Sequence, residues 1–319
     1  MLRIVALVIA LAVPLGTHAD LSGLDVEPLP ATDPLAADAV RRDSLRIVEP
    51  ADLDRADAPK LRSFAALVIE LDKGQALLAK NTDLVMPIAS ITKLMTAMVT
   101  LDAGLPLDET MVVEKADVDH LKGTRSKMKV GTTLTRGEML KLALMASENR
   151  AAAALARTYP GGPDGFVEAM NRKAAELGMH DTRFVDATGL SPGNVSTAQN
   201  LARLVHAGYR YPLIREFTTT ESYQVAYNSS RRYKHFIAFR NSNSLVRNKT
   251  WDIGLSKTGY ISEAGRCLVM QATISAKPVI IVLLDSWGKF SRVADAQRIK
   301  HWIEMQLGGG GSGRRFRVS

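Results

Sequence analysis

The chain has 319 residues, of which 46% are hydrophobic and 23% charged, an ordinary globular composition with enough length for one large domain or two small ones. A single cysteine excludes an internal disulfide. The formal net charge of +8 is unevenly divided: residues 20–60 hold ten acids against five bases and carry −5, whereas residues 61–319 carry +12. A basic body behind an acidic arm fits an anionic partner such as a wall polymer, a membrane surface or nucleic acid, and equally a charge kept for solubility.

Residues 1–19, MLRIVALVIALAVPLGTHA, place one arginine before an apolar run from Ile4 to Leu15 and end on small and polar residues, the build of a secretory signal peptide. The run is too short for an ordinary membrane span, and no later segment approaches about 18 consecutive apolar residues. The expectation is an exported, periplasmic protein with no stable membrane anchor once the signal is cleaved; an uncleaved anchor is the alternative. Residues 20–60, rich in Pro, Asp and Ala, read as a flexible acidic arm. Residues 308–319, GGGGSGRRFRVS, read as a Gly-rich linker with a basic tail, too short and hydrophilic for an amphipathic anchor.

Order is expected over residues 61–307. Two apolar runs flank Asp72-Lys73-Gly74, a hairpin signal. An apolar helix follows, with Ile91, Leu94, Met95, Met98 and Val99 on one face. Thr135 and Glu138 fit a capping box opening EMLKLALMAS, and further helices are predicted across NRAAAALARTY and GFVEAMNRKAAELG, the latter stopped by Gly178. After a helix at about Thr197–Ala207, the runs YQVAY, KHFIAF, GLSKTGYI, RCLVMQATI and PVIIVLLDS read as strands, and VADAQRIKHWIEMQL as the last helix. Strands at both ends with an all-helical middle predict an α+β fold, one antiparallel sheet closed by the first hairpin and covered by a helical lobe. Cys267, in an apolar strand, reads as a small buried side chain.

Three short motifs carry chemistry. Ser90 and Lys93, in PIASITKLMTAM, are three apart, so their side chains share one helical face within hydrogen-bonding reach. A serine hydroxyl needs a base, and a lysine neutral through burial or a second cation can serve. The local alternative is a helix cap with a solvated lysine, and average usage yields about one S-x-x-K in such a length by chance. Ser147 and Asn149, at a break between helical runs, can turn a hydroxyl and an amide into one cleft; a turn or cap is the alternative. Lys257-Thr258-Gly259 sits on a strand, where Lys257 and Gly259 share a face and Gly259 leaves room for a substrate backbone alongside. Chance supplies well under about 0.1 such tripeptides in this length.

In this order S-x-x-K, S-x-N and K-T-G resemble the signature of the penicillin-binding proteins and serine β-lactamases. The resemblance covers about residues 61–307, and ASITKLMTA, SENRAAAALA, DATGLSPGNVSTAQNLARL and LSKTGY resemble the low-molecular-mass D-alanyl-D-alanine peptidases, above all their endopeptidase branch. It implies a transpeptidase-like fold in which Ser90 attacks the carbonyl after the penultimate D-alanine and Lys93 takes its proton. Ser147 would relay a proton to the leaving amine, Asn149 would hold the substrate amide, and Lys257 would keep the site positive and bind a carboxylate with Thr258. The backbone N–H groups of Ser90 and Tyr260 would form the oxyanion hole. The implied partners are peptidoglycan stem peptides, with β-lactams as covalent inhibitors. The resemblance requires no metal or organic cofactor, and neither a ligand-spaced histidine cluster nor a phosphate loop is present. Arg292 is either a further carboxylate anchor or a solvated arginine at a helix start.

Three rivals remain. A β-lactamase would need a deacylating glutamate, and the nearest string, Glu168-Ala169-Met170-Asn171, is one residue short of E-x-x-L-N and lies in a helical pattern. A carboxypeptidase would trim terminal D-alanine, although relatives of that type often carry a further β-domain for which the residues after Gly259 leave no room. A non-catalytic wall-binding module would not need Ser90. Nucleic-acid binding lacks a basic-aromatic run.

Overall fold

The computed structural model describes residues 45, 57–230 and 233–308. The expected signal peptide, most of the acidic arm and the tail from residue 309 lie outside these residues. Strands β1 (Ser63–Glu70) and β2 (Gln75–Lys80) form the expected hairpin; a 3-10 turn over Leu71–Lys73 ends at Gly74, whose φ of +61° reverses the chain. Strands β3 (Met86–Pro87), β4 (Thr110–Val112), β5 (Thr133–Thr135) and β6 (Val195–Ser196) are short. Between them lie α1 (Lys93–Asp102), α2 (Arg136–Met145), α3 (Asn149–Arg157) and α4 (Gly162–Glu176), and then come α5 (Ala198–Gly208) and α6 (Pro212–Thr219). The chain continues through β7 (Ser222–Ser230), β8 (Tyr233–Arg240), β9 (Asp252–Ile261), β10 (Gly265–Ile274) and β11 (Lys277–Ser286) to α7 (Ser291–Gly308). The capping box forms as read: Thr135 Oγ1 accepts from Glu138 N at 3.1 Å while Thr135 N donates to Glu138 Oε2 at 2.9 Å. At Gly178, φ is +67° and the following Met179 N–H folds back onto Ala174 O, which closes α4.

The main sheet is antiparallel, in the order β2-β1-β11-β10-β9. Its register sorts the side chains into two cores. Leu67, Val282, Val269 and Lys257 form one row across four strands, and the three apolar members belong to the core shared with α1 to α6. The next row, Ala66, Leu283, Leu268 and Thr258, faces the opposite way, and its apolar members pack with Ala296, Ile299 and Ile303 of α7. Buried Asp295 pins α7 to the sheet by accepting from Ser63 N at 2.8 Å and Ser63 Oγ at 2.6 Å. Lys257 is therefore a lysine in a row of aliphatic side chains, on the face toward the helical lobe.

Two features depart from the expected plan. The middle of the chain is not wholly helical, because β3 pairs with β6 and β4 with β5. The strands β7 and β8 form a separate ribbon instead of extending the sheet. Residues 241–251 carry the chain from β8 to β9 through a turn held by buried Asn241 and Asn243: the Asn241 amide donates to Thr218 O and Thr220 O, both at 2.9 Å, and Asn243 Oδ1 accepts from Leu245 N. The outer edge of β9 is thereby left beside α6 and the turn bearing Ser90 instead of pairing with β8.

Candidate active site

Ser90 stands in a 3-10 turn over Ala89–Thr92, and Lys93 is the first residue of α1. Ala89 has φ +48°, a conformation that costs a non-glycine residue about 1 kcal/mol or more. The neighbours hold it in place. Thr92 Oγ1 donates to Ala89 O at 2.7 Å and accepts from Asn194 Nδ2 at 3.0 Å. A Cβ on Gly189, itself at φ +79°, would lie 2.0 Å from Ala89 O, and one on Gly259 would lie 3.0 Å from Ile88 O and 3.1 Å from Ser90 N. A side chain at position 259 would thus press on the Ser90 turn, so the missing Cβ serves the packing of the strand against that turn as well as any room it leaves for substrate. The same contact brings the Tyr260 backbone beside that turn.

The cap reading of Ser90 has no hydrogen bond to support it, since no side-chain cap closes the 3-10 turn or α1. Lys93 is fully buried, and its Nζ lies 3.0 Å from Ser90 Oγ, 2.7 Å from Asn149 Oδ1 and 2.5 Å from Thr188 O. The Asn149 and Thr188 oxygens can only accept. A neutral amine has two N–H groups for those two oxygens and one lone pair, which then faces the Ser90 hydroxyl. Electrostatics agree: burial pulls the Lys93 pKa down to about 7, against the opposing pull of Asp186 and Glu148. Ser90 and Lys93 can accordingly act as a hydroxyl and its base.

Ser147 occupies the break between α2 and α3 at φ +62°, and its Oγ accepts from Lys257 Nζ at 2.9 Å; Lys257 also donates to Thr258 O at 2.9 Å. Burial pushes the Lys257 pKa well below its ordinary value, with further repulsion from Lys93 and Arg292. The expectation that Lys257 simply holds the site positive needs this refinement: two buried amines repel each other, so an anion entering beside Lys257 would stabilise its charged form. Thr258, on the opposite face, donates its hydroxyl to Ser242 Oγ at 2.7 Å. The structure thus forms two hydrogen-bonded groups, Ser90–Lys93–Asn149 and Ser147–Lys257, close enough for the two amines to repel each other, with Gly259 packed against the Ser90 turn.

Several contributors carry no motif. Asp186 accepts from Thr188 N and Oγ1, both at 2.6 Å, from Gly189 N at 2.7 Å and from Ser191 N at 3.0 Å, and so fixes the loop that presents the Thr188 carbonyl to Lys93. A second loop wraps Asp119, whose carboxylate collects Leu121 N, Lys122 N, Thr124 N and Thr124 Oγ1 and is held down to about 2 by those bonds. Thr124 Oγ1 accepts from Asn149 Nδ2 at 3.0 Å, Ser126 donates to Glu148 at 2.6 Å, and Lys122 pairs with Glu263 beyond β9. One Asn149 amide hydrogen is left for a substrate.

Arg292 is partly buried and donates to Gly259 O at 2.8 Å and Cys267 O at 3.3 Å. Glu168 lies on the solvent face of α4, 3.9 Å from Arg172. Cys267 is buried, and burial pushes its thiol up to about 11. Among the described residues no group of His, Cys, Asp and Glu could hold a metal ion, and no helix is long and apolar enough to cross a membrane.

Comparison with known proteins places the chain in a family. The chain is 51% identical over 245 residues to a D-alanyl-D-alanine endopeptidase of Pseudomonas aeruginosa, covering 77% of this chain and 78% of the relative. It is 47% identical over 249 residues to the D-alanyl-D-alanine endopeptidase of Escherichia coli, covering 78% and 79% respectively. Among solved structures, the crystal structure of a Streptomyces DD-transpeptidase matches with a TM-score of 0.71 at 27% identity, over 77% of this chain and 98% of that one. Residues 53–288 match the family model described as D-alanyl-D-alanine carboxypeptidase, and the chain belongs to that family of serine peptidases.

Proposed function

We propose that this protein is an exported, periplasmic D-alanyl-D-alanine endopeptidase that opens peptidoglycan cross-links through an acyl-enzyme on Ser90. The observation that carries the reading is the fully buried Lys93 amine, with Ser90 Oγ at 3.0 Å and two obligate acceptors opposite. Lys93 takes the Ser90 proton as the hydroxyl attacks the carbonyl after the penultimate D-alanine; the Ser90 and Tyr260 N–H groups receive the oxyanion. Ser147, bonded to Lys257, passes its hydroxyl proton to the leaving amine as the C–N bond breaks and takes one back from the Lys93 ammonium, which leaves Lys93 neutral again. Asn149 offers its remaining N–H to the substrate amide, and Lys257, with Thr258 at its side, receives a carboxylate. Water then hydrolyses the ester. The endopeptidase choice rests on the two relatives above, both of that name, at 51% and 47% identity. The leader-like first nineteen residues support export.

Glu168 faces solvent, while Asp186 and Glu148 are both engaged, Asp186 by four donors and Glu148 by Ser126, so a penicillin acyl-enzyme should persist. Intact mass after incubation with a penicillin tests the reading. One acyl increment is expected on the wild type and none on Ser90→Ala; rapid turnover without an adduct would sink it. Incubation with purified cross-linked muropeptide dimers then separates the specificities, because release of D-alanine with the dimers left intact would make the enzyme a carboxypeptidase.

A further inference from the structure

Beyond the cluster around Ser90, the described surface carries a strip of exposed aromatic rings interleaved with cations. Tyr260, Arg266 and Ser286 are direct cross-strand partners on β9, β10 and β11, so their backbones span about 10 Å at the ordinary strand spacing. The chain leaves Ser286 into Trp287-Gly288-Lys289-Phe290. Trp287 is 84% exposed, Phe290 71% and Tyr260 56%. The turn is fixed: Ser291 Oγ donates to Trp287 O and Gly288 O, and Gly288 takes φ +102°. Arg292 ties it to the active strand through its 2.8 Å bond to Gly259 O. Cations flank the rings, with the Arg266 guanidinium 4.5 Å from the Tyr260 ring centre and Lys289 Nζ 5.4 Å from that of Phe290. Trp287, Lys289 and Phe290 are neighbours in the sequence, whereas Tyr260 and Arg266 join them only through the pairing of β9, β10 and β11.

Large exposed rings on an ordered turn mark a contact surface. The strip begins at Tyr260, one residue beyond Gly259 on the edge strand β9, and runs from there across β10 to the turn after β11, so a polymer whose peptide lies along β9 would meet it at Tyr260. We propose that Trp287 and Phe290, with Tyr260 at the near end, form a subsite for the amino-sugar chain that bears the stem peptide, the rings stacking on pyranose faces and Arg266 and Lys289 meeting carboxylates. This rests on the endopeptidase reading. Aromatic rings beside lysine and arginine also suit a membrane interface. Tyr260 shares strand β9 with Lys257 and Gly259, and Arg292 ties the turn to Gly259 O, which favours the glycan attached to the peptide at that strand.

The test has two arms. Trp251 and Trp302, the other two tryptophans, are 9% and 8% exposed, so fluorescence quenching by a β-1,4-linked N-acetylglucosamine oligomer reads Trp287. Quenching is expected in the wild type, at about threefold to tenfold higher ligand concentration in Phe290→Ala. In the second arm, kcat/KM for cross-linked dimers that keep their disaccharides should exceed that for dimers stripped of sugar, and Trp287→Ala should lose that preference while its penicillin acylation rate stays unchanged. Absence of quenching, an intact preference in Trp287→Ala, or binding to anionic phospholipid vesicles without any response to the oligomer would each overturn the subsite. Failure to acylate or to cleave either dimer would instead count against the endopeptidase reading, and the fluorescence arm would still decide the subsite.

Discussion

The two buried lysines of the cleft sit in unlike surroundings. Lys93 opens a helix and meets three oxygens, two of which can only accept; Lys257 rides an edge strand in an aliphatic row and meets one hydroxyl and its neighbour's carbonyl. Burial lowers the proton affinity of both, yet only Lys93 has a bonding pattern that a neutral amine completes. The difference teaches that lowering a lysine pKa does not by itself make a base. Two acceptors opposite a hydroxyl suit Lys93 to the role of base proposed for it, whereas Lys257, repelled by Lys93 and Arg292, would gain its charge as an anion enters beside it.

Substitution of each lysine by methionine separates the roles. Lys93→Met should reduce the second-order rate of penicillin acylation by about 10²- to 10⁴-fold, the range of a lost general base, with saturation little altered. Lys257→Met should lose about tenfold to a hundredfold, the range of one charge-assisted hydrogen bond, and lose it mainly in the concentration needed for saturation. Equal losses of the same kind in both variants would erase the distinction.

A smaller effect sharpens the comparison from the Lys93 side. Asp186 raises the proton affinity of Lys93 by its charge, while its oxygens hold the loop presenting Thr188 O. Removing the charge disfavours the ammonium, so Asp186→Asn should move the midpoint of the acylation pH profile below that of the wild type. A merely structural residue would lower the rate at every pH and leave the midpoint in place.

Much of this was legible in the sequence, for local reasons. Helix starts and stops at Thr135 and Gly178 follow from capping chemistry within a few residues, and the first hairpin from the turn at Gly74. The three motifs also gave the side chains that meet, though their contacts bridge separations of 56 residues for Lys93 with Asn149 and 110 for Lys257 with Ser147. What was hidden is carried by backbone or by topology. The Thr188 carbonyl has no side-chain signature, although the string DATGLSPGN that contains it was among those resembling the family. Gly259 was read for the space it gives a substrate, whereas its neighbour is the Ser90 turn, a contact set by how β9 lies on that turn. The β7–β8 ribbon has the same strand pattern as the sheet, and alternation alone does not reveal pairing partners. The aromatic strip depends on the register of three strands.

The pH dependence of wild-type acylation tests the account most directly. With the Lys93 pKa near 7, the amine is protonated and unable to accept below that value, so the rate of penicillin acylation should rise with pH through a midpoint near 7 and level off above it. A profile still rising toward 10, where an ordinary lysine loses its proton, would contradict the assignment of Lys93 as the neutral base of Ser90.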